Sequence, residues 1–328
     1  MIQDLAHSDL ARTDLDWRPL RRDDLGALAD LLAAAEHLDD PADRHGLERL
    51  RADFDESPVD PSEHAVIGSE GGSVVAYGWN HPRAGDVDPV RVVLTGVVHP
   101  AWRYHRIGRG VFEWQLRRAR EHHRETGASG GLRVEAYADE HLNSRRRLYE
   151  RNGLAPLRWF SDLHVQLDRA GERPIAPDPV GIELVPFTAA LSEPVRLAHN
   201  DAFAQGWGSQ PVPPDAWRQS IERRAARPEW SWVALSRGEV VGYALNSATA
   251  QEHPGAYAEG WTDRLGVRPD WRGRGVARAL LQRTLASFAT AGLDGGGLGV
   301  DATERRFELY ESVGYEVTDT VLLYGREQ

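Results

Sequence analysis

The sequence predicts an α/β protein built as two similar domains in tandem, and three observations carry that reading. Strand-like and helix-like stretches alternate along the chain. Their order is written twice: VVAYGW is answered by VVGYAL, VHPAWRYHRIGRG by VRPDWRGRGVARA, and RLYERNG by ELYESVG, always in the same sequence. Between the copies lies RAGERPIAPDPV, with three prolines and little apolar content, the composition of a linker. The expected division is therefore a domain over 1–168, a linker over 169–180 and a domain over 181–328. The 328 residues suit two domains of about 150 residues each.

In the first copy, Trp17 to Leu20 is a short strand, followed by a helix from Asp23 to Ala35 that places Leu25, Leu28, Leu31 and Leu32 on one side. A second helix is expected near Gly46 to Phe54. Ala65 to Gly68 and Val74 to Trp79 flank GSEGGS and read as a hairpin. Arg91 to His99 is a long apolar strand stopped by Pro100. Ile107 to Glu125 keeps Ile107, Val111, Phe112, Leu116 and Ala119 in helical register. A strand over Leu132 to Tyr137, a helix over Asn143 to Arg151 and two final strands within Ala155 to Leu167 complete the copy.

The second copy repeats this plan. A strand over Ile182 to Val185 leads to helices over Ala189 to Phe203 and Pro214 to Arg224, then to a hairpin of Ser231 to Leu235 with Val240 to Ser247. A long strand from Ala256 to Val267 runs into a Gly-rich turn. That turn opens a helix with Ala277, Leu280, Leu281, Leu285 and Phe288 on its buried face. Strand Gly297 to Val300, helix Glu304 to Val313 and two last strands follow.

The turn is the most informative stretch. At the start of a helix the backbone N–H groups of Arg272 to Ala277 lack intrahelical partners and sit at the positive end of the helix dipole, which favours an anion. Gly273 and Gly275 remove side chains where a phosphate approaches the backbone, and Arg272 and Arg274 add positive charge. A Walker loop requires Gly-Lys-Ser/Thr, and this chain has no Lys. A dinucleotide fingerprint needs a third Gly or Ala three residues after the second Gly, where Arg278 stands.

The pattern Arg-x-x-Gly-x-Gly/Ala, here Arg272, Gly275 and Ala277 after a strand ending Val-x-Pro, resembles the acyl-CoA pyrophosphate loop of the GCN5-related N-acetyltransferase (GNAT) superfamily. With both copies the resemblance covers nearly the whole chain, and the layout looks like the tandem-domain branch that includes mycothiol synthase. It implies two domains, each a mixed, mostly antiparallel sheet flanked by helices and splayed where acyl-CoA binds. It also implies acetyl-CoA as acyl donor and direct attack by an amine on the thioester.

By position, the resemblance assigns the backbone of Leu265, Gly266 and Val267 to pantetheine, one N–H polarising the thioester carbonyl, and the turn from Arg272 through Gly273, Arg274, Gly275, Val276 and Ala277 to the pyrophosphate. Gly266 also reads as a packing glycine beneath an aromatic. Tyr310, in Leu-Tyr-x-x-x-Gly-Tyr, matches the tyrosine that protonates the leaving thiolate. Thr303 stands where the family often has Asn, keeping a hydroxyl for pantetheine or for capping the helix. A carboxylate is needed to take the amine's proton. Asp263, then Glu259, are the candidates, because their even separation from Leu265 puts all three on one face of a regular strand. Where mycothiol synthase-like sequences tend to carry the acid, this chain has Trp261.

The first copy has Tyr104 and Arg106 where the second has Gly273 and Gly275, so it reads as a supporting domain whose bulky side chains hinder a pyrophosphate. The alternative is that its Arg side chains serve as phosphate ligands. Trp207, Trp217, Trp230 and Trp232 cluster where the family builds its acceptor pocket. The chain has no Cys and a formal net charge of -11, which exclude thiolate chemistry and argue against nucleic acid. EHHRE at 121–125 lacks the zinc-helix spacing, so no metal is expected. No apolar run reaches membrane-spanning length, and a cytoplasmic protein acting on a small-molecule amine is the expectation. The competing function is a non-catalytic acyl-CoA binding or sensing protein; the presence of Tyr310 favours the enzyme.

Overall fold

The structure, a computed structural model, describes residues 10, 13–83, 89–167, 175–206, 210–222, 225–248, 257–303 and 307–328. It contains two compact units, residues 1–159 with 320–328 and residues 160–319.

In the first unit the elements are β1 (Asp16–Pro19), α1 (Leu25–Asp39), α2 (Leu47–Asp55), α3 (Pro61–His64), β2 (Ala65–Glu70), β3 (Ser73–Pro82), β4 (Val90–Val98), α4 (Ile107–Thr126), β5 (Leu132–Asp139) and α5 (Asn143–Arg151). The strands lie in the order β1-β2-β3-β4-β5, antiparallel except for the parallel pair β4–β5. Period-two alternation divides the core. Tyr77 and Trp79 of β3 pack with Leu25, Leu28 and Leu31 of α1, whereas Ala76 packs with Ile107 and Val111 of α4.

The second unit holds β7 (Glu183–Pro186), α6 (Ser192–Phe203), α7 (Pro214–Ile221), β8 (Trp232–Ser236), β9 (Glu239–Ala248), β10 (Glu259–Val267), α8 (Val276–Thr290), β11 (Gly295–Asp301) and α9 (Glu308–Glu311). Its order is β7-β8-β9-β10-β11, again antiparallel except for β10–β11. Val276, Ala279 and Leu280 of α8 pack on one face with Val241 and Ala244, while Val195, Ala198 and Trp217 pack on the other with Tyr243 and Leu245.

The ends of the copies differ from expectation. Instead of two final strands each, the chain forms one twelve-residue strand per copy, β6 (Ala155–Gln166) and β12 (Glu316–Glu327). Val321–Glu327 pairs with Asp139–Arg133 of β5, and Phe160–Gln166 pairs with Asp301–Gly295 of β11. Each unit is thus completed by a strand from the other half of the sequence, and the unit boundaries fall inside β6 and β12 rather than at the linker. Strand propensity and alternation are the same whichever sheet a strand joins, so the exchange leaves no mark on the pattern of either copy. Of the expected linker, 175–180 is described and has no regular structure; 169–174 lies outside the described residues.

Candidate active site

The site begins where β10 leaves β11. The parallel ladder runs from Glu259↔Gly295 to Thr262↔Leu298 and stops, while β10 stays paired with β9 as far as Val267↔Gly242. The backbone edge of Leu265–Val267 facing β11 therefore has no ladder partner. An unpaired edge of N–H and C=O groups inside a sheet suits an extended ligand that supplies the missing hydrogen bonds.

The break coincides with a β-bulge. The register with β9 shifts between Thr262 and Arg264, leaving Asp263 as the extra residue. This corrects the expectation that Glu259, Asp263 and Leu265 share a face, because one inserted residue inverts the alternation beyond it. Leu265 packs with Val276 and Leu280 on the α8 side. Arg264 lies over the Trp217 ring, 4.9 Å from its centroid, and a Cβ on Gly266 would meet Tyr243 at 2.6 to 2.8 Å, both on the α6–α7 side. Gly266 is thus the glycine beneath an aromatic. Tyr243 hydroxyl and His199 Nδ1 share a 2.5 Å hydrogen bond directly over it. Burial lowers the His199 pKa to about 4, with Arg264 pushing in the same direction, so the ring is neutral at pH 7. Sequence reading missed this pair; its one signal is that Tyr243 falls opposite Gly266 in a hairpin register.

The turn after β10 takes the conformation that its glycines permit. Gly273 has φ +71° and Gly275, the residue before α8, has φ +80°, a region that other residues enter at a cost of roughly 1–2 kcal/mol. Arg272 braces the turn. Its Nε donates to the Val267 carbonyl at 3.2 Å and its Nη2 to the Ala202 carbonyl at 2.6 Å, so it ties the turn to the strand end and to α6. Arg274 stacks on Trp271, 4.8 Å from guanidinium carbon to ring centroid. Val276 and Ala277 open α8, where the first N–H groups point out of the helix.

Glu259 and Asp263 are separated by geometry. At about 3.3 Å per strand residue, Glu259 lies roughly 23 Å along β10 from Gly266, whereas Asp263 lies roughly 10 Å away. Glu259 is also buried and paired with His164 Nδ1 at 2.6 Å. That hydrogen bond raises the His164 pKa against its burial. A histidine raised in the folded state adds stability that is fully present below its unfolded pKa of about 6.5 and is lost as pH climbs through the folded value. His164→Asn is accordingly expected to lower the melting temperature more at pH 6 than at pH 9, and an equal effect at both would show that the pair is not ionic.

Tyr310 stands on α9, half-buried against the cluster of Leu281, Leu285, Val313 and Tyr315. Burial raises its pKa, and its hydroxyl has no hydrogen-bond partner among the described residues. Thr303 does not cap that helix. α9 begins at Glu308 after Phe307, and the Thr303 hydroxyl turns back to the Asp301 carboxylate, which also accepts its N–H. Residues 304–306, where the helix was expected to start, lie outside the described residues, as does Trp207. Trp217 is buried between α7 and the sheet, Trp230 packs edge-on to Phe288, and Trp232 Nε1 donates to Ser287 Oγ at 2.9 Å.

The first unit repeats this geometry with other side chains. Its β4–β5 ladder ends at Leu94↔Ala136, and Arg103 Nε donates to the Val98 carbonyl as Arg272 does to Val267. Tyr104 (φ +70°) and Arg106 (φ +63°) hold the left-handed conformations of Gly273 and Gly275. Tyr104 is 95% exposed, and both it and Arg106 line a cleft of about 720 Å³ together with Thr95–Val98, Arg103, Arg145 and Tyr149, so their side chains stand where the second unit has glycine. Unlike Tyr310, Tyr149 commits its hydroxyl to the Tyr137 carbonyl at 3.3 Å.

Comparison with known proteins agrees with this geometry. The profile of the acetyltransferase (GNAT) domain matches residues 228–317, the stretch that carries the bulge, the turn and Tyr310. An acetyltransferase of Sodalis glossinidius is 34% identical over 108 residues, covering 32% of this chain and 71% of that protein. The chain belongs to the GCN5-related N-acetyltransferase family. It is an N-acetyltransferase, and the family takes its acetyl group from acetyl-CoA. The mycothiol acetyltransferase of Thermobifida fusca is 28% identical, covering 80% of this chain and 82% of that one. The crystal structure of a GCN5-related N-acetyltransferase from Sphaerobacter thermophilus superposes with a TM-score of 0.77 at 27% identity, over 96% of both chains. Among the described residues no helix is long and apolar enough to cross a membrane, and no cluster of three metal-binding side chains occurs.

Proposed function

We propose that the second unit transfers an acetyl group from acetyl-CoA to the amine of a small molecule, with Asp263 taking the amine's proton and Tyr310 protonating the thiolate. The observation that carries this reading is the coincidence, at one end of β10, of the ladder break and the glycine turn. The break offers Leu265–Val267 to the pantetheine amides, and one of those N–H groups can face the carbonyl oxygen as negative charge develops there. A fixed donor of this kind is worth roughly 3 kcal/mol of barrier. The turn offers the N–H groups of Gly273 to Ala277 to the pyrophosphate, with Arg272 holding the turn in place. Similarity to proteins named mycothiol acetyltransferase supports a small-molecule acceptor. We assign catalysis to the second unit because Gly273, Gly275 and Tyr310 replace Tyr104, Arg106 and the already bonded Tyr149.

Binding tests the reading directly. Gly275→Trp fills the approach to the turn and is expected to raise the acetyl-CoA dissociation constant at least about tenfold, equivalent to 1.4 kcal/mol. The measurement is calorimetric titration, with circular dichroism as the control for folding. An unchanged constant in a folded variant removes the turn from the site. The same titration of the unaltered chain is expected to show one tight site, and two equal sites would return the first unit to the list of catalytic candidates.

A further inference from the structure

We infer that the acceptor is a small primary amine that also carries a carboxylate, of amino-acid size, held in a cavity beside Asp263; the inference rests on the second unit being the acetyl-transferring one. The cavity measures about 200 Å³ and is lined by Phe187, Ile221, Ser231, Leu245, Asp263 and Arg264, among others. It is smaller than the roughly 300–1,000 Å³ of sites that enclose drug-sized ligands. The bulge gives it an unusual lining. In a regular strand, successive side chains point to opposite faces, so neighbours cannot share a pocket. Here Asp263 and Arg264 are consecutive, opposite in charge, and both on the cavity wall.

The two groups are held differently. Asp263 is anchored by Ser247 Oγ, which donates to its Oδ1 at 3.0 Å. Arg264 lies over the Trp217 ring, 4.9 Å from guanidinium carbon to ring centroid, and lines the cavity beside Asp263. A carboxylate and a guanidinium side by side complement a ligand with an amine and a carboxylate a few bonds apart, such as an α- or β-amino acid. Phe187, Ile221 and Leu245 supply apolar wall for a short side chain. The same face of β10 carries Gly266 three residues on, so an amine held at Asp263 is roughly 10 Å along the strand from the unpaired Leu265–Val267 edge. In the transfer, the amine nitrogen bonds to the acetyl carbon and the carbon–sulfur bond breaks. The amine's proton passes to Asp263, and the thiolate receives one from Tyr310.

The test uses the full-length chain and needs no variant at first. CoA-thiol release is followed with acetyl-CoA and acceptor pairs that differ only in charge, each amino acid beside its own amide. The acid is expected to exceed the amide in kcat/KM by at least tenfold for the preferred pair. Arg264→Gln should bring that ratio close to one, chiefly by raising KM for the acid. Equal or better use of the amide by the unaltered protein overturns the inference. So does turnover confined to amines too large for the cavity, and both outcomes leave the acetyltransferase reading intact. Failure to bind acetyl-CoA, or to acetylate any amine at all, overturns the proposed function itself and the inference with it.

Discussion

Tyr310→Phe is expected to slow turnover by about 10²- to 10⁴-fold while leaving acetyl-CoA affinity and folding near their original values. The substitution removes one oxygen and keeps the ring that packs on Leu281, Leu285 and Tyr315. Since the hydroxyl makes no hydrogen bond among the described residues, no buried partner is orphaned by its loss, and the usual penalty of 1–3 kcal/mol for such an orphan does not apply. Burial raises the Tyr310 pKa, so the phenol holds its proton at pH 7 and is able to give it to a departing thiolate. A defect confined to kcat, with the calorimetric constant unchanged, marks an interaction made only as the reaction proceeds. Equal turnover with the chemical step limiting would make Tyr310 a packing residue and leave thiolate protonation to water. The matching change in the first unit, Tyr149→Phe, breaks the bond to the Tyr137 carbonyl and should affect stability rather than turnover.

The elements of both copies were legible because their patterning is strong. Four leucines on one side of a helix forecast α1, which runs on to Asp39 and stops where Asp40 turns left-handed at φ +44°. The glycine turn was legible for the same reason, since two positions with positive φ are occupied by the residue that tolerates them best. What escaped the sequence are features set by pairing rather than by propensity. Nothing in Thr-Asp-Arg announces a bulge, yet that single residue moves Leu265 to one face and gathers Asp263, Arg264 and Gly266 on the other. Likewise, composition does not show that Tyr104 and Arg106 keep the left-handed conformation of the glycines they replace while their side chains line the cleft. Nor does the sequence show that Arg272 bonds two backbone carbonyls, those of Val267 and of Ala202, the latter seventy residues away in sequence.

Asp263 provides the second large effect. Asp263→Asn keeps the size of the side chain and can still accept from Ser247 Oγ, but the amide cannot take a proton from an attacking amine. Turnover is expected to fall by about 10²- to 10³-fold at pH 7, within the range typical of a lost general base. The pH dependence separates this role from a structural one. An amine that is already neutral in solution needs no base before it attacks, and the proton it sheds afterwards can pass to solvent, so the deficit of Asp263→Asn should shrink as pH rises toward the acceptor's own pKa. A residue that only shapes the cavity would give the same deficit at every pH. Glu259→Gln is the internal comparison: it lies roughly 23 Å from Gly266 along the strand and is bound to His164, so its loss should lower stability with little change in the rate of the folded enzyme. If the two variants exchanged these outcomes, the base would have to act through His164 and the β6 edge of the unit, and the bulge would be a structural detail of β10 rather than the device that positions the acceptor.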